Sequence, residues 1–236
     1  VRRLVGSEMC IRDRNKSIGS SKAGSNSDRN KVALRTGNWP SGTTLQIDIG
    51  SSGRIQGAGG NGRQGATNSG TPSQAFTGTS GLGIEYPAQI NNNGIIRCGY
   101  GGGGGGAGSW SDPNKNPRDF GRSGGGGGGG AGIPAGDGGP QNTGGYGSAG
   151  NGGPSDQNGK GKAGSDASFD AGGNGGAGGQ HGEGGGQAGG GGNGGDRNDG
   201  AQSGDAGSPN RGGGGAAGNN GFGIIFGSSS VQSNSS

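Results

Sequence analysis

Few residues of this 236-residue chain have the types and spacing that catalysis or metal binding requires. Lys160 lies in GPSDQNGKG, which resembles a phosphate-binding loop, but the glycine spacing differs and no Ser or Thr follows the lysine. His181 is the single histidine, and its sequence surroundings offer no nucleophile or ligand set. Asp196 and Asp199 could bind a cation, although Asn198 stands where the calcium-binding nonapeptide has an apolar residue. We therefore predict no catalytic residue, no cofactor and no metal site.

Binding chemistry lies instead in the segments that interrupt runs of glycine. The longest, 109–123 (SWSDPNKNPRDFGRS), combines Trp, Phe and Arg, which are typical of binding hot spots. Its two prolines restrict the unfolded segment and so lower the entropy cost of ordering it on binding. The predicted binding contacts are Trp110, Arg118 and Phe120, supported by Lys115, Arg122, Tyr146, Asp156, Gln157, Asn158 and Lys160. In the alternative interpretation these segments only reverse the chain, and Trp110 and Phe120 cover the end of the fold.

Glycine decides which scaffold can hold these segments. The chain contains 73 Gly and only 22% hydrophobic residues, so it cannot assemble an ordinary apolar core. Its 73 Gly and 9 Pro give a composition that is typical of low-complexity or disordered proteins. Residues 1–98 hold 17 of the glycines and residues 99–227 hold 56, so the composition changes at Cys98.

The ordered alternative is a stack of polyglycine II helices, which are left-handed and have three residues per turn. Such helices have no internal hydrogen bonds, so neighbours can bond to one another where no Cβ separates them. Unbroken glycine at 101–106 and 124–130 suits the interior of a stack, while Ala171, Asn174 and Ala177 share the phase of an outer face. We predict about nine helices after residue 99. Those on either side of 109–123 would hold both of its ends at one edge. Collagen is excluded because the prolines have no phase.

The part of the chain before Cys98 has the pattern of β-strands. TLQIDIG (44–50) places apolar residues at period two, which predicts a half-buried strand followed by a turn. A similar pattern recurs 41 residues later, in which Ile49, Gly53 and Ile55 correspond to Ile90, Gly94 and Ile96. Two copies are too few to establish a solenoid.

The N-terminal residues differ from the rest in origin and charge. Residues 7–14 (SEMCIRDR) are similar to translated sequencing-adapter DNA, so we expect 1–14 to be a scar outside the fold. The positive charge lies in residues 1–35 and the remainder is slightly negative, so the net charge of +4 does not predict a nucleic-acid surface. No apolar run is long enough for a secretory signal or a transmembrane helix. Cys98 has no credible disulfide partner.

Three stretches together resemble a known family. They are similar to the tip adhesins of T-even-type phage long tail fibres and related glycine-rich phage proteins. The stretches are GRIQGAGGNGRQG (53–65), GLGIEYPAQ (81–89) and INNNGIIRCGYGGGGGGAG (90–108). The resemblance covers about residues 36–227. It implies a polyglycine II sandwich whose loops bind a bacterial outer-membrane protein or surface glycan. It also implies a tail fibre shaft protein as partner and a location at the distal tail fibre of a virion.

The predicted fold class is β and irregular: a short N-terminal β-strand segment followed by a stacked polyglycine II helix sandwich, essentially without α-helix. The predicted division is scar 1–14, disordered basic segment 15–35, strand segment 36–98, glycine-rich domain 99–227 and serine-rich tail 228–236. The predicted function is a phage tail fibre adhesin or virion structural protein, not an enzyme, without nucleic-acid binding or membrane insertion. It could be a tip or an internal piece of a larger fibre protein. The alternatives are a secreted structural or ice-binding glycine-rich protein and a disordered low-complexity protein.

Overall fold

The computed structural model describes residues 8–13, 16–25, 28–67, 71–110, 123–140, 162–178, 188–207, 210–211, 213–226 and 230–231. Within these ranges, regular structure consists of short β-strands and one 3₁₀ turn, Asp28–Asn30, and there is no α-helix. The prediction of a β and irregular fold without α-helix is therefore confirmed for the described residues.

The strands are short and lie mainly before residue 98 and after residue 223. In chain order they are β1 (Glu8–Asp13), β2 (Ser17–Gly19), β3 (Val32–Arg35), β4 (Thr44–Ile49), β5 (Arg54–Gln56), β6 (Ser80–Ile84), β7 (Ala88–Asn92), β8 (Ile95–Arg97), β9 (Ser109–Trp110), β10 (Asn210–Arg211), β11 (Ile224–Phe226) and β12 (Ser230–Val231).

Most of these strands wind into a three-sided coil. Its sides are the parallel sheets β1–β4–β7, β2–β5–β8 and β3–β6–β11. Strand β11 comes from the C-terminal part of the chain and completes the third turn, and β12 pairs antiparallel with it. The two sequence copies are thus the second and third turns of a coil whose first turn is β1–β2–β3.

Alternating side chains form the interior of this coil. In β4, Leu45, Ile47 and Ile49 are buried and the residues between them are not. Ile55 from β5 and Leu82 from β6 join Ile47 and Ile49 in one core cluster. Full burial of a side chain of this size stabilises the fold by about 1.5–3 kcal/mol, so this small core gives the coil its apolar support.

The predicted repeat is only partly right in its register. Strands β5 and β8 align Ile55 with Ile96, as predicted. Strands β4 and β7 align Ile47 with Ile90, so the prediction that Ile49 corresponds to Ile90 is wrong by two residues. The reason is turn length, because 50–53 join β4 to β5 while only 93–94 join β7 to β8. A shift of two residues keeps every side chain on the same face, so the alternation does not reveal it.

The prediction of disorder for residues 15–35 is wrong for its described residues, 16–25 and 28–35. Strand β2 pairs with β5 and β3 pairs with β6, and Ile18 and Leu34 pack against the core. Two cations of this segment also have side-chain partners. Lys31 Nζ lies 3.0 Å from Asp28 Oδ2, and the Arg29 guanidinium lies 4.2 Å from the centre of the Phe222 ring. Strand pairing and these side-chain contacts therefore order a segment whose composition is typical of disorder.

Strand β1 lies within the segment that we excluded as a scar. It pairs in parallel with β4 along its whole length, aligning Met9 with Leu45 and Ile11 with Ile47. The alternation of apolar residues that predicts β4 is thus also present in residues 8–13. The expectation that residues 1–14 take no part in the fold is wrong for this strand.

Glycine segments pack beside the coil through backbone hydrogen bonds. Every N–H of 124–133 donates to another segment, and the acceptor segment changes with a period of three residues. The first four hydrogen bonds show the pattern, because the fourth returns to the segment of the first. They are Gly124 N to Ala66 O, Gly125 N to Gly189 O, Gly126 N to Lys162 O and Gly127 N to Arg63 O, at 2.8–3.0 Å. Carbonyls of 124–133 accept from the segments 99–108, 135–140 and 171–178. In the described structure this segment therefore has six bonded neighbours in the array, and the carbonyl of Ile133 also accepts from Ser20 N of the coil at 3.1 Å.

The array begins before Cys98. Gly60 N donates to Tyr100 O at 2.8 Å and Gly102 N donates to Phe76 O at 3.0 Å, so 57–66 and 71–79 belong to it. Both lie in the excursion between β5 and β6, inside the stretch that we assigned to strands. The composition change at Cys98 therefore does not coincide with the start of the array.

The outer-face phase predicted for one segment is confirmed. Ala171, Asn174 and Ala177 are exposed, whereas Gly173 and Gly176 are buried. Gly176 N donates to Gly126 O at 2.7 Å, so the glycine positions face the central segment. One side chain in three residues is therefore compatible with a face of the array.

The first prediction is that Gly127→Ala lowers the free energy of unfolding by more than about 4 kcal/mol, the range of exceptional single substitutions. An added Cβ there would overlap the carbonyl oxygens of Gly103 and Gly104. Chemical denaturation measures the effect. The matched control is Gly213→Ala, where the nearest atom is Thr71 Oγ1 at 3.8 Å, and we expect a change of no more than about 1 kcal/mol. Equal effects of the two substitutions would contradict the packed array.

Candidate functional site

Consecutive glycine segments run in opposite directions, so their ends collect at two edges of the array. Gly103 bonds to Gly128 and Gly106 to Gly125, which makes 99–108 antiparallel to 124–133. The same reversal recurs along the chain. We name as the loop edge the end that contains Ala66, Ala107, Gly124, Lys162, Ala177, Gly189 and Asp205. The strand edge is the opposite end, which adjoins the coil and contains Gly57, Gly99, Ile133, Ser168, Ala171 and Gly195.

The described ends of the variable segments meet at the loop edge. Segment 109–123 lies between Ala107 and Gly124, 141–161 ends at Lys162, and 179–187 lies between Ala177 and Gly189. Hydrogen bonds join these ends to one another: Gly106 N to Gly125 O at 2.8 Å, Gly125 N to Gly189 O at 3.0 Å, and Lys162 N to Ala177 O at 2.8 Å. The prediction that the flanking glycine segments hold both ends of 109–123 at one edge is confirmed by these residues.

Most of the predicted contacts lie outside the described residues. Trp110 has a described backbone, and it ends β9, which pairs antiparallel with β10. The other predicted contacts fall in ranges that the structure does not describe: Arg118, Phe120, Lys115, Arg122, Tyr146, Asp156, Gln157, Asn158 and Lys160. His181 falls outside the described ranges as well.

A groove near the loop edge was not predicted from the sequence. This flank groove has a volume of about 770 Å³ and is lined by residues of 61–67, 71–76 and 137–140. Within it, the Arg63 guanidinium lies 5.5 Å from the centre of the Phe76 ring. The available sequence signal was the presence of Asn61, Arg63 and Gln64 inside a glycine segment.

A charged cluster at the strand edge joins the coil to the array. Asp170 accepts hydrogen bonds from Arg54 through both carboxylate oxygens, at 2.7 and 3.2 Å, and from Arg97 at 3.2 Å. The hydrogen bonds from Arg54 lower the pKa of Asp170, while burial acts in the opposite direction. Arg54 also lies over the ring of Phe169, which is 53% exposed, with 4.8 Å between the guanidinium and the ring centre. This cluster ties strands β5 and β8 to the turn at 168–171.

The remaining reactive groups have structural surroundings. Asp196 Oδ1 accepts from the backbone N–H of Asn198 at 2.8 Å and of Asp199 at 3.1 Å. Burial acts to raise the pKa of Asp196, but its backbone hydrogen bonds lower it overall. Burial raises the pKa of the Cys98 thiol, which is a free, half-buried cysteine. Among the residues with described positions, no three His, Cys, Asp or Glu side chains are grouped as metal ligands. The same ranges contain no helix with the length and hydrophobicity needed to cross a membrane.

The geometry defines a class of protein, a glycine-rich scaffold that gathers the ends of variable segments at one edge. A family model for the phage tail fibre adhesin Gp38 matches residues 12–189, which is more than half of the chain. The chain belongs to this family of phage tail fibre adhesins. The resemblance to this family and the tail fibre location that we predicted are thereby confirmed. The ice-binding and disordered alternatives have no such support.

One solved structure is similar to the chain at low sequence identity. It is the crystal structure of the gp37–gp38 adhesin tip complex of the bacteriophage S16 long tail fibre, with 22% identity and a TM-score of 0.37. The match covers 92% of this chain and 63% of that chain, so this chain spans less than two thirds of the solved one. No curated protein matches the chain. Family membership therefore rests on the family model.

The second prediction concerns Asp170 and pH. Because Arg54 lowers the pKa of the folded carboxyl, its contribution to stability is present above the unfolded pKa and is lost as the pH falls through the folded value. Asp170 is half exposed, so we expect Asp170→Asn to lower stability by at most about 1 kcal/mol at neutral pH. The difference should vanish well below about pH 4, near the ordinary pKa of Asp.

Urea unfolding at neutral and acidic pH measures this difference. The control is Asp199→Asn, which removes a carboxylate in another turn at the strand edge and leaves the hydrogen bonds of Arg54 and Arg97 to Asp170 intact. A difference between Asp170→Asn and the parent that persists unchanged at low pH would rule out the carboxylate–guanidinium interaction as its cause.

Proposed function

We propose that this adhesin recognises a bacterial surface receptor through the variable segments whose ends lie at the loop edge. The observation that carries the proposal is that the described ends of 109–123, 141–161 and 179–187 lie next to one another at that edge. A rigid scaffold with adaptable segments at one end is the arrangement that many binding proteins use. The receptor is an outer-membrane protein or a surface glycan.

The scaffold in this proposal is a sandwich of polyglycine II helices. The hydrogen bonds of 124–133 support it, because consecutive N–H groups address three different neighbours and the pattern repeats every third residue. A pleated strand instead directs its backbone groups to two neighbours in one sheet. At three residues per turn and a rise of about 3.1 Å, ten residues extend about 31 Å.

The primary contacts in the proposal are Trp110, Arg118 and Phe120. Aromatic and Arg side chains dominate binding hot spots, and no other variable segment combines Trp, Phe and Arg. Supporting contacts come from the same segment and from two others: Lys115, Arg122, Tyr146, Asp156, Gln157, Asn158 and Lys160. The close approach of the segment ends at the loop edge supports a joint surface for all of them.

The second proposed partner is a tail fibre shaft protein, which binds the coil. Strands β1, β2 and β3 each lie at the end of the strand order in their sheet. Sheet edges of this kind can accept a strand from a partner. The coil adjoins the strand edge, so a shaft bound there would leave the loop edge accessible to a bacterial surface.

The third prediction is that Trp110→Ala and Phe120→Ala each weaken binding to whole host cells by at least about tenfold, the loss expected for a hot-spot residue. Thermal melting of the purified variants should match the parent, because a contact residue supports no part of the scaffold. The matched control is Phe169→Ala, an exposed aromatic residue at the strand edge, which should bind cells as the parent does.

The structural alternative predicts the reverse. If Trp110 and Phe120 cover the end of the array, both substitutions will lower the melting temperature and the folded fraction will still bind cells. That result would remove segment 109–123 from the binding site.

A further inference from the structure

Backbone hydrogen bonds fix the relative positions of the three segments that line the flank groove. Segment 61–67 lies between 71–76 and 137–140, and backbone hydrogen bonds join it to both. Phe76 N donates to Asn61 O at 3.1 Å on one side, and Gly62 N donates to Asp137 O at 2.8 Å on the other. Its volume of about 770 Å³ is that of an ordinary ligand site, since such sites span roughly 300–1,000 Å³.

The main side chains of the groove are attached to immobilised backbone. Arg63 N donates to Gly103 O at 3.1 Å, and its carbonyl accepts from Gly127 N at 2.8 Å. The carbonyl of Phe76 accepts from Gly102 N at 3.0 Å. The backbones of Arg63 and Phe76 are therefore fixed before any ligand arrives, and the guanidinium lies over the ring, so less ordering is needed on binding. A guanidinium in this position is suited to bidentate recognition of carboxylate or phosphate.

The charges of the groove favour an anion. Asp137 is the acidic residue of the lining, and its Oδ1 lies 2.7 Å from Lys22 Nζ. Its Oδ2 accepts from Asn61 Nδ2 at 3.0 Å. Because the positive charge of Lys22 offsets the carboxylate of Asp137, Arg63 gives the groove a net positive charge.

The rest of the lining favours a ligand with many hydroxyl groups. Thr67, Thr71 and Ser73 contribute hydroxyls, which donate and accept, and Gln64 contributes an amide. An apolar ligand would make no use of the hydrogen-bonding capacity of these groups. A protein loop would bring an apolar anchor, whereas the aromatic ring of this lining, Phe76, is already in contact with Arg63.

We propose that the flank groove binds an anionic saccharide, a sugar chain that carries carboxylate or phosphate groups. The inference rests on the proposed function, since it names the chemical class of one receptor component on the bacterial surface. It places this contact on the residues of 61–67, 71–76 and 137–140 that line the groove.

The test uses calorimetric titration of the full-length protein with defined probes. These are tetragalacturonate, its methyl ester, a phosphorylated mannose oligosaccharide and the same oligosaccharide without phosphate. We expect at least one anionic probe to bind about tenfold or more tightly than its neutral counterpart, as for hydrogen bonds to a charged group. Comparison of the affinities for the two anionic probes shows whether the groove prefers carboxylate or phosphate. Added salt should reduce the difference.

Substitution of Arg63 locates the site. In Arg63→Gln the affinity for the anionic probe should fall to that of the neutral probe, while the matched control Arg197→Gln, an exposed arginine at the strand edge, should bind as the parent does. Equal losses in both variants would indicate non-specific charge attraction and overturn the proposal. Equal binding of anionic and neutral probes by the unsubstituted protein would overturn it too, and this comparison does not depend on the folding of any variant.

Cell binding separates this inference from the proposed function. A protein that binds host cells but none of the saccharide probes leaves the adhesin proposal intact and overturns the groove. If purified outer-membrane protein then competes for the cells in an Arg63-dependent manner, the occupant is a protein loop. A protein that binds the anionic probe through Arg63 but binds no cells supports the groove and overturns the proposed function.

Discussion

Ten consecutive amide groups, those of residues 124–133, each donate a hydrogen bond to another segment, and the rest of the array depends on this condition. It holds only where neighbouring backbones approach without side chains between them. An added Cβ at Gly128 would overlap the carbonyl oxygen of Gly173, and one at Gly129 would overlap that of Gly136. A single hydrogen bond contributes about 1 kcal/mol net, but a buried N–H without a partner costs about 1–3 kcal/mol. The segments are therefore stable together, because removing one leaves buried donors of several others unpaired.

The coil determines where this array begins and ends. The chain leaves the coil after β5 and returns at β6, and it leaves again after β8 and returns at β11. Both excursions therefore start at the sheet β2–β5–β8 and end at the sheet β3–β6–β11. The array is thus attached to the coil at the corner between these two sheets. At this corner Ala58 N donates to Ser20 Oγ at 2.9 Å, which links the array to the first turn of the coil. It also donates to Thr79 Oγ1 at 2.7 Å, which joins the start of this excursion to its end before β6.

This arrangement separates the stable part of the molecule from the variable part. The turns at the strand edge, such as 168–171 and 196–199, are short. Hydrogen bonds between side chains and backbone stabilise them, for example from Ala171 N to Ser168 Oγ at 2.9 Å. The longer interruptions all begin and end at the loop edge. The described bonds of the array use residues outside these interruptions.

Local patterns predicted some elements and missed others for physical reasons. The alternation of Leu45, Ile47 and Ile49 was sufficient to predict β4, and the three-residue phase of Ala171 and Asn174 was sufficient to predict an exposed face. The order of β2 and β3 could not be predicted, because parallel pairing joins residues that are far apart in sequence. The flank groove was missed for the same reason.

Composition also did not show where a methyl group fits. Ala107 and Ala131 are fully buried within the array, although unbroken glycine was expected in its interior. Whether a Cβ is tolerated depends on the position of the nearest carbonyl in another segment, which the sequence of one segment does not contain. The contacts of the variable segments stay predictions.

Amide hydrogen exchange of the full-length protein, resolved residue by residue, is the most direct test of the backbone array. Because every N–H from Gly124 to Ile133 has an acceptor on a neighbouring segment, we expect all ten amides to exchange slowly and at similar rates. Slow exchange at every second residue would indicate a pleated edge strand, and fast exchange throughout would indicate an unbonded chain. Either result would contradict a scaffold built from backbone bonds with a period of three residues.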